Sequence, residues 1–174
     1  MESVKLVITD SQAFREVAQL LQTFQTSKSP GLTSFSVLFA RQKGDLAEFV
    51  KGLEAIKSLK DGDTVLVAEG CTHHRQCNDI GSVKIPKALA KLSGKKLKFV
   101  FASGSGFDLD CGGAPLLGEG VSTISLVVHC GGCMLTRREV LRRIALAKEF
   151  GIPIVNYGLV LAMASGIEIE NLCI

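Results

Sequence analysis

The chain has 174 residues, 47% of them apolar and 21% charged, with a formal net charge of +3. That is enough apolar mass for one substantial domain or two small ones without disulfide staples, and no dense Lys/Arg run is interleaved with aromatics, which excludes an ordinary nucleic-acid surface. The opening "MESVKLVITDSQ" lacks the pattern of a signal peptide, and "GIPIVNYGLVLAMASGI" is interrupted by Pro153, Asn156 and Tyr157 short of roughly 18 unbroken apolar residues, so a soluble, cytoplasmic protein without membrane contact is expected.

Short β-branched apolar runs alternate with segments of helical period. This is the signature of an α/β fold built from parallel-sheet (Rossmann-like) units with flanking helices. In chain order, the pattern predicts a strand over 4–9 ("VKLVIT"), a helix over 12–24 behind Ser11, a strand over 34–40 ("SFSVLFA") and a helix over 45–59 starting at Asp45. The turn "KDGD" then divides a smaller N-terminal unit, residues 1–62, from a cysteine-bearing unit, residues 63–174. Beyond it come a strand over 64–68, a helix over 85–92, a strand over 97–102 and a long glycine-rich loop over 103–122. A strand over 125–128, a helix over 136–150 closed by Gly151, a strand over 153–156 and a helix over 159–164 complete the series.

Six cysteines in a chain that reads as intracellular point to metal ligands or reactive thiols rather than to disulfides. The three histidines, His73, His74 and His129, all lie within three residues of Cys71 or Cys130. In a parallel sheet every strand ends on one edge, and ligands gather in the crevice beyond it. Here "EGCTHHRQCND" follows the strand 64–68, "GFDLDCGG" follows 97–102 and "HCGGC" follows 125–128, so Cys71, Cys130 and Cys133 can converge although far apart in sequence. Two thiolates spaced Cys-x-x-Cys can grip one ion or one cluster face, with Gly131 and Gly132 letting the backbone turn closely. The helix start near Thr136 favours negative charge beside Cys133. Thiolate softness selects iron-sulfur, zinc or copper(I) over magnesium or calcium.

Several neighbouring residues read more plainly. Cys77, Cys111 and Cys173 fit the part of ordinary small side chains, His74 that of a loop hydrogen-bonding group, and His129 that of a donor orienting its neighbour. "GSGFDLDCGG" is not a dinucleotide loop, because Leu109 stands in the third glycine position, and no G-x-x-x-x-G-K-[ST] phosphate loop occurs in the chain. Two readings from other classes stay open. One is a structural zinc module on Cys71, Cys77, Cys130 and Cys133; the other is a thiol-disulfide oxidoreductase using Cys130 and Cys133.

"CTHH", followed after a long spacer by "HCGGCM", resembles the C-terminal part of the HydF family, the maturation GTPases of iron-iron hydrogenase. The family's Cys-x-His, spacer, His-Cys-x-x-Cys signature matches Cys71, His73, His129, Cys130 and Cys133. "LVITDSQAF", "LTSFSVLFARQKGDL", "DGDTVLVAEGCTHHRQCNDIGSVKIP" and "GIPIVNYGL" extend the likeness over nearly the whole chain. The resemblance implies a partial dimerisation domain over 1–62 and a domain binding a 4Fe-4S cluster over 63–174, with the family's GTPase domain absent from these residues. It implies Cys71, Cys130 and Cys133 as cluster ligands, and a fourth position taken by Cys77, Asn78, His73 or His129. His73 and His129 serve alternatively as second-sphere donors or as groups binding a two-iron precursor. The implied role is a non-enzymatic, homodimeric scaffold or carrier that assembles the two-iron subcluster with radical-SAM maturases and delivers it to the apo iron-iron hydrogenase. One departure stands out, a spacer between His73 and His129 that is longer than the family pattern.

Overall fold

The computed structural model describes residues 4–10, 13–23, 30–70, 79–103 and 123–167. The N-terminal unit runs β1 (Leu6–Thr9), α1 (Phe14–Thr23) and β2 (Gly31–Ser34), with β1 and β2 paired in parallel from Leu6↔Gly31 to Thr9↔Ser34. The Asp10 carboxylate accepts the Ala13 N–H at 3.0 Å at the entry to α1. Its inward anchor is Phe14, which is fully buried.

The strand expected over 34–40 is instead a helix, α2 (Phe35–Lys43), and the strand pairing stops at Ser34. Phe35, Val37 and Phe39 imitate a period of two, but the buried positions are Val37 and Ala40, three apart. Ser34 Oγ accepts the Val37 N–H at 3.3 Å, an N-cap that commits the chain to helix, and Gly44 returns its N–H to the Ala40 carbonyl at the other end. Cap and helical burial together outweigh the β-branched and aromatic local preference.

Next comes α3 (Leu46–Ala55), capped by Asp45 through the Glu48 N–H and extended by a 3₁₀ turn over Ile56–Ser58. The second sheet is built from β3 (Thr64–Glu69), β4 (Lys98–Ser103), β5 (Ile124–His129) and β6 (Ile154–Asn156). Its order is β4-β3-β5-β6 and every pairing is parallel. Between β3 and β4 lie a π-helical turn, Ile80–Lys84, and α4 (Ile85–Ser93); α5 (Arg137–Glu149) joins β5 to β6, and α6 (Tyr157–Ala164) follows β6. Val65, Leu66 and Val67 of β3 and Leu126, Val127 and Val128 of β5 are all buried, as strands covered on both faces must be. Gly52 of α3 sits against the main chain of Ile154, where a Cβ would collide with the peptide, so α3 packs directly on β6.

The α/β architecture expected from the alternation is therefore present, with helices flanking parallel strands. The strand order also creates a switch point: the chain leaves β3 toward β4 on one side and takes up β5 and β6 on the other. The carboxyl ends of β3 and β5 flank the crevice where such sheets bind ligands. Among the described residues no helix is long and apolar enough to cross a membrane.

Candidate metal centre

The crevice is built from the ends of β3 and β5. The Cys130 N–H donates to the Ala68 carbonyl at 2.9 Å, extending the β3–β5 pairing by one residue. Gly70, the first residue beyond β3, donates its N–H to Cys130 Sγ at 3.1 Å. Cys130 is buried, whereas Cys133 is exposed at the mouth. Burial pushes the Cys130 thiol up from its ordinary value, opposed by the N–H groups of Gly132 and Gly70 and by the Arg143 charge, all of which favour thiolate.

The turn carrying the two thiols depends on its glycines. Gly132 has φ +68°, a left-handed conformation costly to other residues, and Leu135 N–H closes the turn on the Gly132 carbonyl at 3.1 Å. Gly70 lets that turn fold over the end of β3, since a Cβ there would sit 2.5 Å from Leu135 Cγ. Thr136 then caps α5 through the Glu139 N–H. The positive end of a helix of 13 residues thus begins four positions after Cys133, at Arg137.

His129 points inward. Its side chain is 1% exposed, Nδ1 lies 2.6 Å from the Cys130 carbonyl and Nε2 lies 3.5 Å from Arg143 Nη1. With Nδ1–H donating to the carbonyl, the Nε2 lone pair faces the guanidinium. Burial and the Arg143 charge pull its pKa down to about 4 against the raising effect of the carbonyl bond, so the ring is neutral at pH 7. Arg143, itself 1% exposed, is held in turn by Glu139 Oε1 at 2.8 Å from Nε, and Arg142 binds the same carboxylate. Hydrogen bonds from Arg142 and Arg143 hold the Glu139 carboxyl down at about 2.

The thiols open on a cavity of about 300 Å³, a volume typical of small-ligand sites. Phe35, Ser36 and Phe39 of α2, Tyr157 and Leu161 of α6, and Ile80 form much of its wall, with Glu69 and Asp79 contributing carboxylates. The Tyr157 hydroxyl donates to Glu69 Oε1 at 3.4 Å; burial and the Glu69 charge hold its phenol protonated far above its ordinary value. Asn156 ties this wall together, its Oδ1 accepting the Leu159 N–H to cap α6 while its Nδ2 donates to the Ser36 carbonyl at 2.9 Å.

Of the residues expected at the site, Cys130, Cys133 and His129 are brought to the end of β5, although His129 directs its ring away from the cavity toward Arg143. Cys71, His73, Cys77 and Asn78 lie outside the described residues, as do His74, Cys111 and Cys173. Among the described residues no group of three or more His, Cys, Asp or Glu side chains is gathered to hold a metal ion. The donor set that is described, one buried and one exposed thiol with N–H groups directed at the buried sulfur, fits a soft, thiolate-bound centre. Sequence reasoning missed Glu69, Tyr157 and the aromatic wall of α2. The place of Glu69 at the end of β3, two residues before Cys71, was the one available signal.

Residues 47–172 match the family model described as the Hydrogen maturase F tetramerization domain, and residues 1–44 match the Hydrogen maturase F dimerization domain. No curated protein matches the chain.

Proposed function

The chain belongs to the HydF family of hydrogen maturases, and from that premise we propose that it is an iron-sulfur scaffold or carrier serving assembly of the two-iron subcluster of iron-iron hydrogenase. The resident group in this reading is a 4Fe-4S cluster on Cys71, Cys130 and Cys133, with a fourth position left to an exchangeable ligand, for which Cys77, Asn78 and His73 are the candidates. The observation that carries it is the hydrogen bond from Gly70 N–H to Cys130 Sγ. Gly70 immediately precedes Cys71 in the sequence, which supports Cys71 as a partner of Cys130 in this reading.

A bound cluster supplies iron coordination and a site at which an iron precursor is accepted and released. The protein's own residues do the rest. Gly70 and Gly132 direct N–H groups at Cys130 Sγ and disperse charge from the sulfur, and the cavity wall of Phe35, Phe39, Tyr157 and Leu161 limits water. His129 holds the Cys130 carbonyl through Nδ1 and so positions the ligand residue rather than donating to metal. The match to a dimerization domain supports a homodimer. Partners in this reading are radical-SAM maturases, which supply the two-iron precursor, and the apo-hydrogenase, which receives it; no catalysis by this chain is required.

Anaerobic reconstitution with iron and sulfide tests the reading. About four iron and four sulfide per chain, with a broad charge-transfer absorption and a paramagnetic signal on reduction, is the expected result. Cys71→Ser, Cys130→Ser and Cys133→Ser should each lower the iron content. Protein that stays colourless, or that is isolated without oxygen carrying one zinc and taking up no iron, refutes it.

A further inference from the structure

Among the described residues, a side chain from outside the strand and helix that flank it holds the Cys-x-x-Cys turn: Lys43, at the end of α2. Its Nζ lies 3.1 Å from the Gly132 carbonyl oxygen, 2.9 Å from that of Cys133 and 3.0 Å from that of Leu135. An ammonium has three protons and accepts nothing, so three carbonyls satisfy it completely, in charge-assisted bonds stronger than neutral ones. The Phe39 ring, 4.8 Å from Nζ and one turn back on the same helix, adds a cation-π contact.

Two further fastenings bind α2 to the same region. The Gln42 carbonyl accepts a bond from Arg137 Nε at 3.2 Å, at the start of α5. Ser36, whose carbonyl is bound by Asn156, stands where a Cβ on Gly131 would come within 3.1 Å of its hydroxyl. The helix therefore lies along the turn, touching Gly131 near its beginning and the carbonyls of residues 132, 133 and 135 at its end.

We infer that Lys43 is a positioning residue for the thiolate site: it fixes the peptide planes on either side of Cys133 and thereby the direction of that thiol. A turn with two adjacent glycines has little intrinsic order, and Cys133 is exposed, so neither local stiffness nor burial sets its side chain. Lys43 supplies that order from the segment matching the dimerization domain, while the turn belongs to the segment matching the tetramerization domain. The clamp thus makes the geometry of the metal turn answer to the placement of α2. The inference rests on the metal-binding reading above for its function, and on the three carbonyl bonds alone for its structure.

The test uses the full chain, metal-free and reduced, as the unsubstituted protein, Lys43→Met and Lys43→Arg. Methionine keeps an unbranched chain one atom shorter and removes the charge and every N–H donor; arginine keeps the charge but presents a planar fork that does not converge on three carbonyls. Amide hydrogen exchange over residues 131–135 should accelerate by about tenfold in Lys43→Met and remain fast in Lys43→Arg, with β3 and β5 unchanged; cobalt(II) affinity, read from thiolate-to-cobalt charge transfer, should fall by about tenfold in both. Exchange equal to the unsubstituted protein overturns the inference, and so does faster exchange with unchanged cobalt affinity, which makes Lys43 a structural clip. If the unsubstituted protein takes no cobalt, the metal-binding reading fails, and the exchange result still decides whether Lys43 holds the turn. Should Lys43→Met fold poorly, Lys43→Arg alone carries both measurements.

Discussion

Replacing Gly70 by alanine tests whether close approach at the end of β3 shapes the thiol turn. Gly70 is not among the glycines with positive φ, so alanine meets no backbone penalty and the cost is steric. A Cβ at 2.5 Å from Leu135 Cγ is about 1 Å inside normal carbon-carbon contact. Leu135 has limited room to retreat, because it packs against the core and its carbonyl is fixed by Lys43 at 3.0 Å. Overpacking of this kind costs about 1–3 kcal/mol, and the pinned backbone places Gly70→Ala near 2 kcal/mol. Equilibrium urea unfolding of the metal-free protein measures it. Leu135→Ala alone, at a partly buried site, should cost about 1–2 kcal/mol, below the range for a fully buried leucine. The double variant should be more stable than the sum of the two losses by at least about 1 kcal/mol, because the clash has gone. Gly70→Ala within about 0.5 kcal/mol of the unsubstituted protein, or strict additivity in the double variant, refutes the argument.

Two more predictions concern the polar chain behind the turn. His129 is held neutral with its pKa near 4, whereas the unfolded chain titrates near 6.5; the unfolded state therefore binds the extra proton between those values. Stability of the metal-free protein should fall as pH drops from 6.5 to 4, by up to about 3 kcal/mol, and the slope should flatten in His129→Gln; urea midpoints across that range provide the check. Glu139→Gln removes the charge that faces buried Arg143, and should destabilise the fold by about 2 kcal/mol, less than a fully buried pair because Glu139 is 29% exposed. The Glu139 carboxyl is held down at about 2, so its stabilising effect is complete above pH 4.5 and is lost as pH falls toward 2, an acid loss that Glu139→Gln should not show in thermal unfolding.

Much of the architecture was legible because it rests on local chemistry. "TVLVA" and "SLVV" read as central strands since buried parallel strands need continuous apolar runs, and Asp45 and Thr136 marked helix starts through side chains that bond an N–H three residues on. The segment Phe35–Lys43 was misread because its alternating apolar residues satisfy a strand pattern as well as a helical one. What separates the two is the Ser34 cap and the contact of Ser36 with Gly131 and Gly158, the latter lying in a different part of the chain. Lys43 carried no signal at all, for its partner carbonyl at Cys133 is 90 residues away and a lysine at a helix end reads as solvated.

By itself, then, the order of residues determined the alternation of strands and helices, the placing of Cys130 and Cys133 just after a strand, and the thiol chemistry that favours soft metals. Tertiary structure alone decided that β3 lies beside β5, that His129 turns inward to the Cys130 carbonyl and Arg143, and that α2 clamps the turn. The reason is one of range. Propensity, capping and turn formation act across a few residues, whereas the partner of a buried polar group is set by which strands and helices the packed core makes neighbours.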